Sequence, residues 1–373
     1  MVAVYTLGCF FGSLNCIWLG DRLGRKRTII FGAGGHVIGA LLQSSSSSLA
    51  QLTVGRLVSG FFFGHLTATA PNWQAECSRA EHRGATVLLE GLFISMGLAI
   101  SAWINLAMSY VTGSASWRFP LAFSALWAII VILTMPFMPD SPRWLVKKGR
   151  VDEARSVMAA LSDTEPDSSA VTDAIREIEV SLALAGEARF LHVFRNGDLR
   201  LFHRTCLAAA GQIFQQMSGV NVLGYYEASI FQNDLGLSAN NSRIMVAAAF
   251  TWQTLCSPIG VLTVDRFGRR KLMIFSAIGM GCCMAIAAGC SSVPHNTAAV
   301  ALAAAAIFMY SFFFPTGFLG LTFLYAAEVA PLSYRVPITS ISTAAAWLFN
   351  FVGCPSSFEP LHCILLTSCS GRG

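Results

Sequence analysis

The sequence predicts an all-α membrane protein of about ten spanning helices with an internal repeat. Three observations predict it. Of 373 residues, 54% are hydrophobic and only 12% charged, with a mean hydropathy of +0.58; soluble domains carry about a quarter charged residues. Apolar stretches near the 20 or so residues needed to cross a bilayer recur along the chain. Two arginine-rich glycine loops, Asp21-Arg22-Leu23-Gly24-Arg25-Lys26 and Asp265-Arg266-Phe267-Gly268-Arg269-Arg270, stand 244 residues apart, each between such stretches. Backbone groups in lipid must be satisfied within the segment, which selects helices.

Candidate spans run at about 1–20, 28–50, 52–74, 84–111, 117–138, 203–231, 243–264, 271–291, 298–327 and 336–353. The last is short and fades into Cys354-Pro355-Ser356-Ser357. Loops 21–27, 75–83, 140–204, 265–271 and residue 335 hold 21 of the 25 Lys and Arg residues. These are alternate loops and therefore lie on one side, which the positive-inside rule makes the cytoplasm. The net charge of +5 is thus topological, and no nucleic-acid partner is expected. Tags placed near Ser44 and Asn241 should be reachable from outside intact cells and a tag near Asp167 should not; the reverse labelling pattern would overturn this orientation. Asn240-Asn241-Ser242 is an N-x-S motif on the outer side, making Asn240 a glycosylation candidate.

The organisation that follows is a first transmembrane bundle at 1–139, a cytoplasmic helical linker at 140–202, a second bundle at 203–353 and an atypical tail at 354–373. Within the linker, Val151, Ala154, Met158 and Leu161 share one helical face, and Val171, Ile175, Ile178 and Leu182 another. Ser168 or Ser169 can cap the second helix. The chain has no signal peptide with a charged leader and a cleavage site. Its eleven cysteines lack paired spacing apart from Cys282-Cys283, so they read as small apolar filler with no disulfide or zinc framework.

Gln215-Gln216-Met217-Ser218-Gly219-Val220-Asn221, followed by Tyr225-Tyr226, lies inside an apolar helix. Amides and phenols there are costly unless they pair or line a wet cavity. Ser218-Gly219 is a place for that helix to break, projecting Gln215 and Gln216 from one half and Asn221 from the other. Amides both donate and accept, which suits a neutral polyhydroxyl ligand; interhelical hydrogen bonding is the other use. Glu90, a carboxyl within a span, could be a polyol ligand, a proton carrier or one member of a buried pair. Gly35-x-x-x-Gly39 and Gly60-x-x-x-Gly64 read as close packing faces, and His36 and His65 as buried polar residues.

The amide segment resembles the Q-Q-x-S/T-G-x-N-x-x-x-Y-Y motif of the sugar porter family of the major facilitator superfamily, and the paired D-R-x-G-R-R/K loops resemble its cytoplasmic loops. Gly55-Arg56, Pro71-Asn72-Trp73-Gln74-Ala75-Glu76 with Arg83-Gly84, Trp117-Arg118-Phe119-Pro120 and Pro139-Asp140-Ser141-Pro142-Arg143-Trp144 match further motifs. Glu328 and Arg335 repeat the seven-residue spacing of Glu76 and Arg83. The resemblance is closest to fungal-type members, through P-x-W-Q-x-E and Trp347-Leu348-Phe349-Asn350-Phe351.

The resemblance implies a major facilitator fold with about 9–10 of 12 spans present, helices 2–10 and part of 11, and a chain that is short at both ends and does not transport as it stands. It implies sugar or polyol transport by alternating access with proton coupling left open, in a plasma-membrane protein contacting lipid, without cofactor or enzymatic chemistry. Gln215, Gln216, Asn221, Tyr225, Gln253 and Phe323 would contact substrate. Arg25, Glu76, Arg83, Asp140, Arg143, Arg269, Glu328 and Arg335 would form a cytoplasmic gating network, with topogenic charge alone as the other reading. Arg56 and Glu90 would serve any proton coupling. Three departures stand out: Phe323 replaces a tryptophan, Ala346 an asparagine, and Glu90-Gly91 a glutamine region. A sugar sensor, a membrane-integral enzyme and an inactive transporter fragment stay open as other classes.

Overall fold

A computed structural model describes residues 2–353 apart from 79–82, 186–189, 196, 198, 235, 292–296, 332 and 333. The 354–373 tail and the side chains of Arg83 and Tyr226 lie outside what it describes. The described chain is helical. Its first half holds α1 (Val2–Leu23), α2 (Arg25–Ser44), α3 (Leu49–Glu76), α4 (Arg83–Met108) and α5 (Ala115–Thr134). The connector holds α6 (Pro142–Lys147), α7 (Val151–Ser162) and α8 (Ser169–Ala185). The second half holds α9 (Leu201–Gln215), α10 (Asn221–Ser229), α11 (Ala239–Phe267), α12 (Arg269–Ser291), α13 (Thr297–Phe314), α14 (Leu321–Val329) and α15 (Arg335–Val352).

Six described stretches are long and apolar enough to cross a membrane on their own: Ala3–Leu23, Leu88–Met108, Ala115–Phe137, Ala239–Phe267, Arg269–Cys290 and Thr297–Val329. The remaining long helices carry arginines, amides and hydroxyls that lower their mean hydropathy. Those residues turn inward: Gln43, His65, Asn72 and Thr339 are all buried. The two arginine loops share one backbone device. Gly24 (φ 86°) separates α1 from α2, and Gly268 (φ 79°) separates α11 from α12.

Two helices break. Between α9 and α10 the turn widens over Gln216–Val220, with Gly219 at φ 96°, a left-handed conformation that favours glycine. The expected single stretch 298–327 is likewise divided into α13 and α14 by a wide turn at Pro315–Leu319. Proline removes a backbone donor there, and Gly317 lets Leu272 and Ser276 of α12 approach the turn closely. Wide turns of this kind expose backbone carbonyls and recur at functional sites.

The halves meet along two seams. α1 packs on α15, with α3 beside it, and α4 packs on α11. In the connector, Trp144, Leu145, Ala154, Val171 and Ile175 form one apolar cluster, joined by Met158, Ile178 and Leu182, so the two amphipathic faces read from the sequence meet each other. Ser168 Oγ accepts from the backbone amide of Val171 at 3.4 Å.

Candidate functional site

The two broken helices bring α10, α14 and α15 around a cavity of about 550 Å³ between the halves. The break at Gly219 turns Gln215, Gln216 and Asn221 toward it, and Tyr225, Gln253 and Phe323 also line it. All six substrate-site candidates therefore share one wall.

The amides form a continuous web. Gln215 Nε2 donates to the Phe318 carbonyl at 2.9 Å, in the wide turn between α13 and α14. Gln216 Nε2 donates to Gln215 Oε1 at 3.4 Å. Asn350, on α15, is the hub: its Nδ2 donates to Gln216 Oε1 at 3.0 Å and to Asn221 Oδ1 at 2.9 Å. Tyr225 donates its hydroxyl to Asn350 Oδ1 at 2.9 Å. On the opposite seam Gln253 Nε2 donates to Ser95 Oγ of α4 at 3.3 Å. Trp347 Nε1 donates to Thr67 Oγ1 of α3 at 3.1 Å. A ligand with hydroxyls can replace any of these side-chain partners, because each amide keeps both donor and acceptor capacity.

Asn350 was legible as part of the tryptophan motif but not as a site residue. Its signal was position: four residues after Ala346, it lies on the same helical face one turn along. The amide missing at 346 is thus supplied at 350. Glu227 was also missed. It is 4% exposed, lines the cavity, and falls directly after the Tyr225-Tyr226 pair. Glu90 lines the cavity from α4, with Oε2 buried. Arg56 does not line it; the guanidinium lies near Tyr5, with Nε buried.

The charged residues gather at the other end of the halves. Arg25 Nε donates to Glu76 Oε2 at 2.9 Å and Nη2 to Oε1 at 3.1 Å, a two-point pair. Ser141 Oγ donates to the same carboxylate at 2.6 Å, and Trp144 Nε1 to the Asp21 carbonyl at 3.1 Å. Asp140 caps its own chain, accepting from the Ser141 amide at 2.9 Å. Burial pulls the Arg143 guanidinium down to about 10; Glu76 opposes the drop, and Arg335 and Arg25 add to it. In the second half Arg269 Nη2 pairs with Glu328 Oε1 at 2.9 Å. These two ion pairs therefore each join residues within one half, while Lys147 Nζ ties the connector to Asp21 Oδ2 at 2.8 Å. Between the halves Asn72 Nδ2 donates to Thr339 Oγ1 at 2.6 Å, and Arg335 and Arg143 are both buried. Asn240 Oδ1 accepts from the Tyr110 hydroxyl at 2.6 Å, linking α11 to the turn after α4 at the opposite end.

A family model described as "Sugar (and other) transporter" matches residues 1–356. The chain belongs to the sugar (and other) transporter family. It is 37% identical to the "MFS-type transporter oryC" of Aspergillus oryzae, over 94% of this chain and 67% of that one. It is 33% identical to the "Sugar transporter STL1" of Saccharomyces cerevisiae, over 93% of this chain and 62% of that one. The chain thus spans about two thirds of the length of these relatives. Its fold is similar to that of the proton:xylose symporter XylE of the major facilitator superfamily, solved with 6-bromo-6-deoxy-D-glucose, at a TM-score of 0.84 and 21% identity over 98% of this chain and 79% of that one. The chain is therefore a multi-pass integral membrane protein with the major facilitator fold, in a family of transporters.

Proposed function

We propose that the protein carries a neutral sugar or polyol across the plasma membrane by alternating access, with the cavity between the halves of this chain as its binding site. The observation that carries the reading is the web of Gln215, Gln216, Asn221, Tyr225 and Asn350 at a helix break. Helices interrupted near mid-membrane are where carriers of this architecture hold their cargo. Gln253 and Phe323 complete the contact surface, Phe323 by its ring face. The relatives include a named sugar transporter, and a similar fold holds a glucose derivative.

In this reading the inner-side charges bias the two access states. Arg25–Glu76 and Arg269–Glu328 tie helix ends within each half, while Asn72–Thr339 ties the halves together and must separate for the inner mouth to open. Asp140, Arg143 and Arg335 are assigned to the same role, as is Arg83, whose side chain lies outside the described residues. Arg56 and Glu90 are the residues assigned to proton coupling.

In the full-length protein, Gln216→Ala should reduce uptake of the carried sugar about tenfold at normal surface expression, since it removes one or two hydrogen bonds of about 1–1.5 kcal/mol each. A panel of radiolabelled hexoses, pentoses and polyols in carrier-deficient cells measures it. Uptake kinetics identical to the unmodified chain would remove Gln216 from the binding site.

A further inference from the structure

We propose that Glu227 is a proton-binding residue of the central cavity. The inference deepens the transport reading, on which it rests for what the proton accompanies. Glu227 stands on α10 in the second half, 4% exposed and on the cavity wall, and its Oε1 has no hydrogen-bond partner among the described residues. Glu90 stands on α4 in the first half and lines the same cavity, with Oε2 in the same condition. The described lining thus has two carboxyls and no lysine, arginine or histidine.

The surrounding groups supply no counter-charge. The other titratable lining side chains are Tyr5 of α1, Tyr225 of α10 and Tyr310 of α13. The Tyr225 hydroxyl is committed to Asn350, and the Tyr310 hydroxyl meets Ser218 at 3.1 Å. On α11, which packs against α10, Cys256 is buried and Arg243 is exposed. Among the described residues, no charged side chain acts on Glu227 or on Glu90. A carboxylate in an apolar wall without a counter-charge is far costlier than the neutral acid, so such a group holds a proton or a ligand's cation. The amide web suits neutral hydroxyls, and a proton takes up no cavity volume. Those two facts select the proton. Glu227 and Glu90 face one cavity from opposite halves, so a protonation change at Glu227 acts where the halves move relative to each other.

The test is labelling of the membrane-embedded chain with dicyclohexylcarbodiimide, which attacks neutral carboxyls in apolar surroundings. The acid O–H adds across a C=N bond, and the adduct rearranges to a stable N-acylurea without a further reactant. Peptide mass spectrometry quantifies the Glu227 adduct against the Glu90 adduct from acidic to alkaline buffer. We expect Glu227 to be labelled in acid, and above its midpoint the adduct to fall about tenfold per pH unit. In E227Q, uptake should lose its dependence on external pH; a pH dependence equal to that of the unmodified protein would overturn the proposal. No Glu227 adduct in acid, labelling that does not fall from acidic to alkaline buffer, or protection of Glu227 by methylammonium at constant pH would overturn the proposal. If the full-length protein takes up no member of the sugar panel, the transport reading fails, and the labelling profile still decides the proton site.

Discussion

Glu76→Ala should destabilise the membrane-extracted protein by about 3–5 kcal/mol, the range for removing one partner of a buried ion pair. Arg25 and Glu76 have side chains 5% and 2% exposed, and their two-point contact is reinforced by Ser141. Without the carboxylate, Arg25 keeps only its longer contact to the half-exposed Asp21 carboxylate at 3.4 Å, and the buried Arg143 loses the Glu76 charge that opposes its desolvation. The equivalent change in the second half, Glu328→Ala, should cost only about 0.2–1 kcal/mol, because Arg269 and Glu328 are 31% and 36% exposed and water replaces the lost partner. Thermal unfolding of the two variants in detergent separates these outcomes; equal losses would show that burial does not distinguish the two loops.

The same pair sets a pH dependence. Glu76 lies beyond the membrane-length stretch 52–74. Burial pushes its carboxyl upward, but Arg25, Arg143 and the Ser141 hydroxyl outweigh this and hold it below the usual carboxylate value. A folded-state value below the unfolded one means the stabilisation is fully present above the ordinary carboxylate range and is lost as pH falls through the folded value. Acid should therefore loosen the inner end of the first half, and Glu76→Ala should flatten that acid limb.

Gly12→Val should cost about 3 kcal/mol or more, at the upper end for forced overpacking. A Cβ at Gly12 would collide with the carbonyl of Phe61 across the α1–α3 contact, and a Cβ at Gly60 or Gly64 would meet α1 backbone in the same way. The collision is with main chain, so no side chain can swing aside. Association inside a bilayer depends on such close approach, since lipid supplies no hydrophobic drive for helices to pair. Gly34→Val is the internal control. A Cβ there has nothing within 4 Å, and thermal stability should stay within about 0.5 kcal/mol. Equal behaviour of the two variants would sink the packing argument.

What the residue order determined by itself is whatever depends on periodicity, span length and charge. The spans follow from hydropathy, and the expected sidedness of the linker from arginine placement, because bilayer thickness and the positive-inside rule act on each segment independently. The break at Gly219 was legible because only glycine takes that conformation freely. The amides of the site were legible because an amide in an apolar helix has to be accounted for locally. The tertiary structure decided what depends on partners far apart in the chain. Pro315 is an ordinary helix residue until Gly317 is seen packed on α12. Asn350 becomes the centre of the site only because α15 lies against the broken end of α9, more than 100 residues earlier. Glu227 and Glu90 are unrelated carboxyls until the fold sets both around one cavity. The two arginine loops, near-identical as sequence, differ because the connector residues Ser141 and Trp144 bury the first and nothing equivalent among the described residues covers the second. Burial is a property of surrounding chain, and composition alone does not carry it.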